Sequence, residues 1–262
     1  MFDELAGGVF RRRYRSLDLN VGVVVGEDGV LLVDTRASLR QARELEHELR
    51  ALTDLPVRWV VNTHWHWDHT FGNAVFAHAE IWGHRLTRLV MEERGDEMKD
   101  AAREWLDTSQ REEIDEVELV APDHTFSDRV SLAIGREVLL TYHGLAHTDA
   151  DIVVRVPGSD VAFFGDLVEE GAPPAFDDSH PLSWPSTLSL AAEAAPETVV
   201  PGHGDVVNPG FIATLEAELA AVARLASAVI AEELPMEEAV RRGPYPPETM
   251  RTALTRAETT SG

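Results

Sequence analysis

The sequence predicts a layered α/β fold in a single domain. Three observations carry this expectation. A strand–helix–strand order runs through residues 19–62. Short β-rich runs return from Val130 and give way to a long amphipathic helix. No shift in composition marks a boundary between domains, and I, V, L, A, M and the aromatic residues make up 44% of 262 residues, enough for a large core.

The first run, "LNVGVVVGEDGVLLVDT", reads as two strands around a Glu-Asp-Gly turn, a hairpin. "SLRQARELEHELRAL" follows as a helix: Leu39, Ala42, Leu45, Leu49 and Leu52 share one face, and Ser38 is placed to cap its N-terminus. "VRWVVN" is then a short buried strand. Residues 84–116 are charged and helical in pattern, and "MEERGDEMKDAAREW" reads as a solvated helical insertion. "VSLAI", "EVLLTY", "DIVVRV" and "VAFFG" read as strands, with Gly135 and "PGSD" at turns. A loop rich in Pro and Asp occupies residues 171–185, and "TVVPGHG" is a further strand and turn. "FIATLEAELAAVARLASAVIAEEL" is a strong amphipathic helix, and the tail turns helical again after "GPYPPE".

Charge narrows the range of functions. Against 23 basic residues stand 46 acidic ones, a formal net charge of −23. Such a surface repels nucleic acid and anionic membranes, since binding a polyanion needs a basic face. A small-molecule substrate in a locally positive pocket remains compatible with it, as does a homo-oligomer. There is no cysteine, so neither disulfides nor cysteine–zinc sites are available. "MFDELAGGVFRRRYRSLDLN" lacks the apolar core of a secretory signal, and no apolar run is long enough to span a bilayer. The expected location is cytoplasmic.

The chemistry is concentrated after apolar strands. "WVVNT" runs into His64, His66, Asp68 and His69; "VLLTYHGLA" into His147; "VAFFG" into Asp166; "TVVPG" into His203. Sites in open α/β sheets gather at the carboxyl ends of strands, so these segments are expected to converge on one rim. Buried histidines and carboxylates are costly unless paired or bound to metal. Five histidines and two aspartates are a natural set for two metal ions: imidazole suits zinc, and a carboxylate can bridge.

"HWHWDH" resembles the His-x-His-x-Asp-His motif of the metallo-β-lactamase superfamily. His147, Asp166 in "FFGD" and His203 in "PGHG" follow in that superfamily's order, and "VDT" at 33–35 resembles its early strand end. The resemblance covers roughly residues 18–210, leaving 210–262 as a helical tail. It implies a four-layer αββα sandwich with metals at one edge. Carried over by position, His64, His66 and His147 would bind the first of two zinc ions. Asp68, His69 and His203 would bind the second, and Asp166 would bridge them. Iron or manganese could replace zinc. Hydroxide held between the metals would be the nucleophile, and Asp68 would also act as the catalytic residue that orients it and moves a proton.

The implied activity is metal-dependent hydrolysis of a small-molecule ester, lactone, thioester or lactam. β-Lactamases that use a cysteine ligand are excluded by composition. No basic glutathione-binding tail or lactonase tyrosine is evident. Flavodiiron proteins resemble a pattern with Glu where His66 stands, whereas persulfide dioxygenases, which use one iron on the first-site ligands, remain the redox alternative. β-Lactamase activity remains a further alternative, as main or side function. Outside the seven, Asp34 reads as a hydrogen-bonder behind the ligands. His47 reads as solvated, His78 and His84 as structural, and His143 and His180 as loop residues within reach of substrate. Trp65 and Trp67 read as packing residues or pocket walls. Residues 171–185 are expected over the pocket, governing substrate preference more than metal content.

Overall fold

The structure, a computed structural model, describes residues 1–260. The chain begins with a hairpin of β1 (Asp3–Ala6) and β2 (Val9–Tyr14), followed by β3 (Leu19–Val25) and β4 (Val30–Val33), the hairpin expected from sequence. Next come α1 (Leu39–Leu52), β5 (Val57–Val61), the short α2 (Trp67–Thr70) and a 3-10 turn, Asn73–Phe76. Then follow β6 (Glu80–His84), α3 (Arg85–Glu93), α4 (Gly95–Trp105), α5 (Thr108–Asp115) and β7 (His124–Phe126). The second half contains β8 (Arg129–Ala133), β9 (Glu137–Tyr142), β10 (Ile152–Val156), β11 (Val161–Glu169), α6 (Trp184–Ala192) and β12 (Thr198–His203). Three further helices, α7 (Pro209–Ile230), α8 (Met236–Arg242) and α9 (Pro247–Thr260), complete the described residues.

The strands form two half-sheets. One runs β7-β6-β5-β4-β3 and continues through β2 to β1, with β4, β5, β6 and β7 parallel; the other runs β12-β11-β10-β9-β8. They join where β12 meets β3, at the pair His203↔Leu19. Their inner faces pack together through Val24, Leu31, Val61, Leu140, Val154 and Phe163. The outer face of the first half-sheet is covered by α1, with Leu45 and Leu49 against Val23 and Val60. The outer face of the second is covered by α6, α7, α8 and α9, with Leu188, Leu219 and Leu254 against Phe164 and Val199. The layers are therefore αββα. The central strands β3, β4, β10 and β11 are buried almost throughout because both of their faces are covered by another layer.

Ser38 caps α1 as expected: its backbone is extended and its hydroxyl accepts from Gln41 N. Two expectations need correction. Residues 84–116 are helical, but they do more than meet solvent: Val90, Met91, Met98, Ala102, Leu106 and Ile114 are buried against Trp65, Trp67 and Phe71. The charged residues conceal an apolar stripe that packs over the segment carrying four of the seven expected ligands. Asp166 lies within a strand and not past its end, because β11 continues to Glu169 beside β12.

Candidate metal centre

All seven residues named from sequence meet at one edge of the sandwich. His64, His66, Asp68 and His69 lie on the turn after β5 and on α2, His147 follows β9, Asp166 is in β11, and His203 ends β12. They fall into two sets, His64, His66, His147 and Asp166 in one and Asp68, His69 and His203 in the other; within each set the facing N and O atoms lie within 4.8 Å of one another. In the first set His66 Nδ1 is 2.8 Å from His147 Nε2. In the second, His203 Nε2 is 3.3 Å from His69 Nε2 and 3.3 Å from Asp68 Oδ2. Asp166 touches both sets: its Oδ2 is 3.4 Å from His147 Nε2, and its Oδ1 is 3.3 Å from His69 Nε2.

The outward nitrogens of these rings show which atoms are left to face inward. His69 Nδ1 donates to Asp34 Oδ2 at 2.8 Å, and His203 Nδ1 donates to the Leu17 carbonyl at 2.7 Å. Thr63 Oγ1 donates to Asp34 Oδ2 at 2.7 Å, so it accepts from His64 Nδ1 at 3.1 Å. His66 Nε2 faces Asp178 Oδ2 at 3.4 Å, and His147 Nδ1 faces Glu169 Oε1 at 3.8 Å. In a neutral imidazole, one nitrogen bound as a donor leaves the other as a lone pair. With the rings neutral, the inward atoms of His64, His69 and His203 are lone pairs directed at one another and at carboxylates. His64 Nε2 and Asp166 Oδ1 are also buried without a hydrogen-bond partner. Buried acceptors gathered in this way could hold a cation, and the nitrogen–oxygen donor set fits zinc or a similar divalent ion.

Protonation follows the same logic. Burial opposes charge on His69 and His203, but Asp166 and Asp68 outweigh it and hold both well above the usual histidine range. Burial also disfavours ionisation of Asp166, yet His203, His69 and His64 hold it well below the usual carboxylate range. Asp68 is likewise lowered, against burial, by His69 and His203. Burial together with the neighbouring histidines depresses His64, and burial then His66 push His147 down to about 3.

Two backbone features make the convergence possible. A Cβ on Gly202 would lie 1.7 Å from Asp166 Oδ1, so the "PGHG" turn can pass the carboxylate only as glycine. Asp34 has φ +66°, a left-handed conformation that aspartate adopts more readily than most residues. This conformation turns its carboxylate back onto Thr63 and His69, where Oδ1 also accepts from Thr63 N.

Asp34 sits behind two of the candidate ligands, His69 directly and His64 through Thr63. His47 and His78 are exposed. His84 is structural: its ring stacks on Tyr142 at 4.1 Å, and Nε2 bonds the Ser127 carbonyl. His143 bonds Thr141, and His180 N donates to the Ala146 carbonyl beside His147. Trp65 and Trp67 are both core residues, with Trp65 Nε1 donating to Asp149. Sequence reasoning did not find Thr63, Glu169 or Asp178. Thr63 had adjacency to His64 as a signal; the two acids had none, because ordinary surface acids are common in a chain with 46 of them. Asp178 also modifies the expectation for residues 171–185, since its carboxylate faces His66, one of the candidate ligands.

A family model of the metallo-beta-lactamase superfamily matches residues 17–203, a span that includes all seven site residues. A solved structure, a metallo-beta-lactamase from Pontibacter korlensis, superposes with a TM-score of 0.69 at 20% sequence identity, covering 84% of this chain and 98% of that one. With its αββα layers and its His/Asp cluster at the sandwich edge, the chain belongs to the metallo-beta-lactamase superfamily.

Proposed function

We propose that this protein is a dinuclear, zinc-dependent hydrolase of a small-molecule ester, lactone, thioester or lactam. The observation that carries the reading is Asp166, which contacts histidines of both sets and so would be shared between two ions. These residues would hold zinc, whose chemistry there would be to lower the pKa of water toward neutral pH.

The protein residues supply orientation and proton handling. His64 and His69 are fully buried, whereas the side chains of Asp68, His66 and His203 are 11%, 18% and 18% exposed. Substrate therefore approaches from the side of these three. Asp68 is the carboxylate at that opening, and its lowered pKa keeps it ionised and able to accept a proton from an attacking water. Two arginines of the region are already engaged, Arg13 with Asp18 and Asp205 and Arg94 with Glu97. The complete second set favours two metals over the single iron of a persulfide dioxygenase.

The test is a panel of esters, lactones, thioesters and lactams offered to zinc-loaded protein. The expected result is turnover that chelator abolishes and zinc restores, and that Asp68→Asn lowers by about 10²–10⁴-fold, the usual range for an acid–base group. Oxygen uptake with iron-loaded protein, and no hydrolysis with zinc, would overturn it.

A further inference from the structure

The five ligand histidines are not supported alike. His64, His69 and His147 take their outer partners from Thr63, Asp34 and Glu169, on or beside sheet strands, and His203 from the carbonyl of Leu17 just before β3. His66 is the exception. The residue facing its outward nitrogen is Asp178, in the stretch between β11 and α6 that has neither strand nor helix. His66 Nε2 is buried and has no aligned hydrogen bond, so the Asp178 carboxylate at 3.4 Å is the group placed to fix which nitrogen carries the proton.

A loop can position a ligand only if something holds the loop. Here the holding groups come from the helical tail. Arg256, on α9, donates from Nε to the Ser179 carbonyl at 2.9 Å and from an Nη to the Asp178 carbonyl at 3.0 Å. Two adjacent carbonyls are thus gripped by one planar guanidinium, a geometry that lysine cannot reproduce. Nearby, the buried Phe176 ring lies 5.5 Å from Trp184 and 6.0 Å from Tyr245, which precedes α9. The helix is itself seated in the core by Met250, Ala253, Leu254 and Ala257. Arg256 lies beyond residues 17–203, the span matched by the family model.

We propose that Asp178 is a positioning residue for His66 and that Arg256 sets where Asp178 stands, so that the terminal helix forms part of the support of the metal centre. The inference rests on the metal reading of the site. It assigns α9 a role besides covering the sheet: movement of the helix is transmitted through the 178–179 backbone to one ligand of the first set, while the second set is left alone.

The experiment is a zinc titration of the full chain against a chromophoric chelator of known affinity, resolving a dissociation constant for each ion. Circular dichroism and a thermal melt of each metal-free protein report on folding. The variants are Asp178→Ala, Asp178→Asn, Arg256→Ala, the milder Arg256→Lys, and the double variant Asp178→Ala/Arg256→Ala. Arg251→Ala serves as control, because it removes the exposed pair with Glu237 between α8 and α9 without touching the loop. Asp178→Ala is expected to weaken one zinc about 10–100-fold, the usual cost of losing a partner behind a ligand histidine, and to leave the other unchanged. Asp178→Asn should recover part of the loss. Arg256→Ala should weaken the same zinc by less, Arg256→Lys should recover little, and the double variant should be no worse than Asp178→Ala, since both act through one contact. Arg251→Ala should change neither constant.

Unchanged constants in Asp178→Ala, or in an Arg256→Ala that merely melts lower, would overturn the inference, as would fully additive losses in the double variant. In each case a wild type that binds two zinc ions keeps the metal reading intact. A wild type that takes up no zinc would sink that reading, and this inference with it.

Discussion

Asp34 Oδ2 accepts from His69 Nδ1 at 2.8 Å and from Thr63 Oγ1 at 2.7 Å, and Thr63 Oγ1 in turn meets His64 Nδ1 at 3.1 Å. A single buried carboxylate oxygen therefore orients one histidine from each set. A change at this residue should be felt at both metals, although it ligates neither.

Asp34→Asn tests this without disturbing the backbone, because asparagine also tolerates the left-handed conformation. Asp34 accepts from three donors, Thr63 N, Thr63 Oγ1 and His69 Nδ1. The amide has only one acceptor atom and leaves at least one of them unsatisfied, at about 1–3 kcal/mol. Both zinc dissociation constants should rise, by about 10–100-fold, in a chelator titration. A rise at only one ion would mean that Thr63 does not carry the coupling to His64.

Asp166→Ala should lower occupancy at both sites, and His203→Ala should empty mainly the second. Metal content of each purified variant checks this. Two tightly held metals and full activity in His203→Ala would remove that residue from the ligand set.

Gly202→Ala places a methyl group where Asp166 Oδ1 now lies. The carboxylate must move or the turn must open, and both motions pull on the bridge. The variant should fold and lose metal, seen as near-native circular dichroism with low zinc content. Full metal content would show that the turn can yield.

Acidity should act on loading through His69 and His203. In the metal-free chain burial opposes their charge, but Asp166 and Asp68 raise both well above the usual range. Protonation of both rings is thereby favoured, and a metal must compete with it. Loading should release protons into a weakly buffered indicator solution. Affinity should fall as pH falls below those raised values, by about tenfold per displaced proton per pH unit. An affinity that is flat from mildly alkaline to mildly acidic pH would contradict this charge assignment.

Much of this was legible in the sequence, for a physical reason. In a chain without cysteine, zinc-type ligands come from His, Asp or Glu, and the turn that brings four candidates together is short, so "HWHWDH" exposes the site in six residues. The strand–helix–strand run was equally plain, because Val21, Val23, Leu45 and Leu49 each follow their element's period. What stayed hidden lay in less specific residues. Strand β2 carries three arginines in a row, and Arg12 is held by Glu48 of α1, so its sequence reads as a charged surface. The apolar stripe of Met98, Ala102 and Ile114 is interrupted by charged neighbours. Asp178 and Arg256 lie 78 positions apart and meet through a backbone carbonyl, a contact that no local pattern announces.

Whether these seven residues hold two metal ions is decided by elemental analysis of the full chain, purified without a metal-binding tag and reconstituted in excess zinc. Two zinc per chain are expected, falling to one or fewer in Asp166→Ala. A wild-type chain that stays at one metal, or at none, with its fold intact would contradict that expectation; one iron retained from purification, with oxygen uptake, would transfer the site to the mononuclear dioxygenase chemistry.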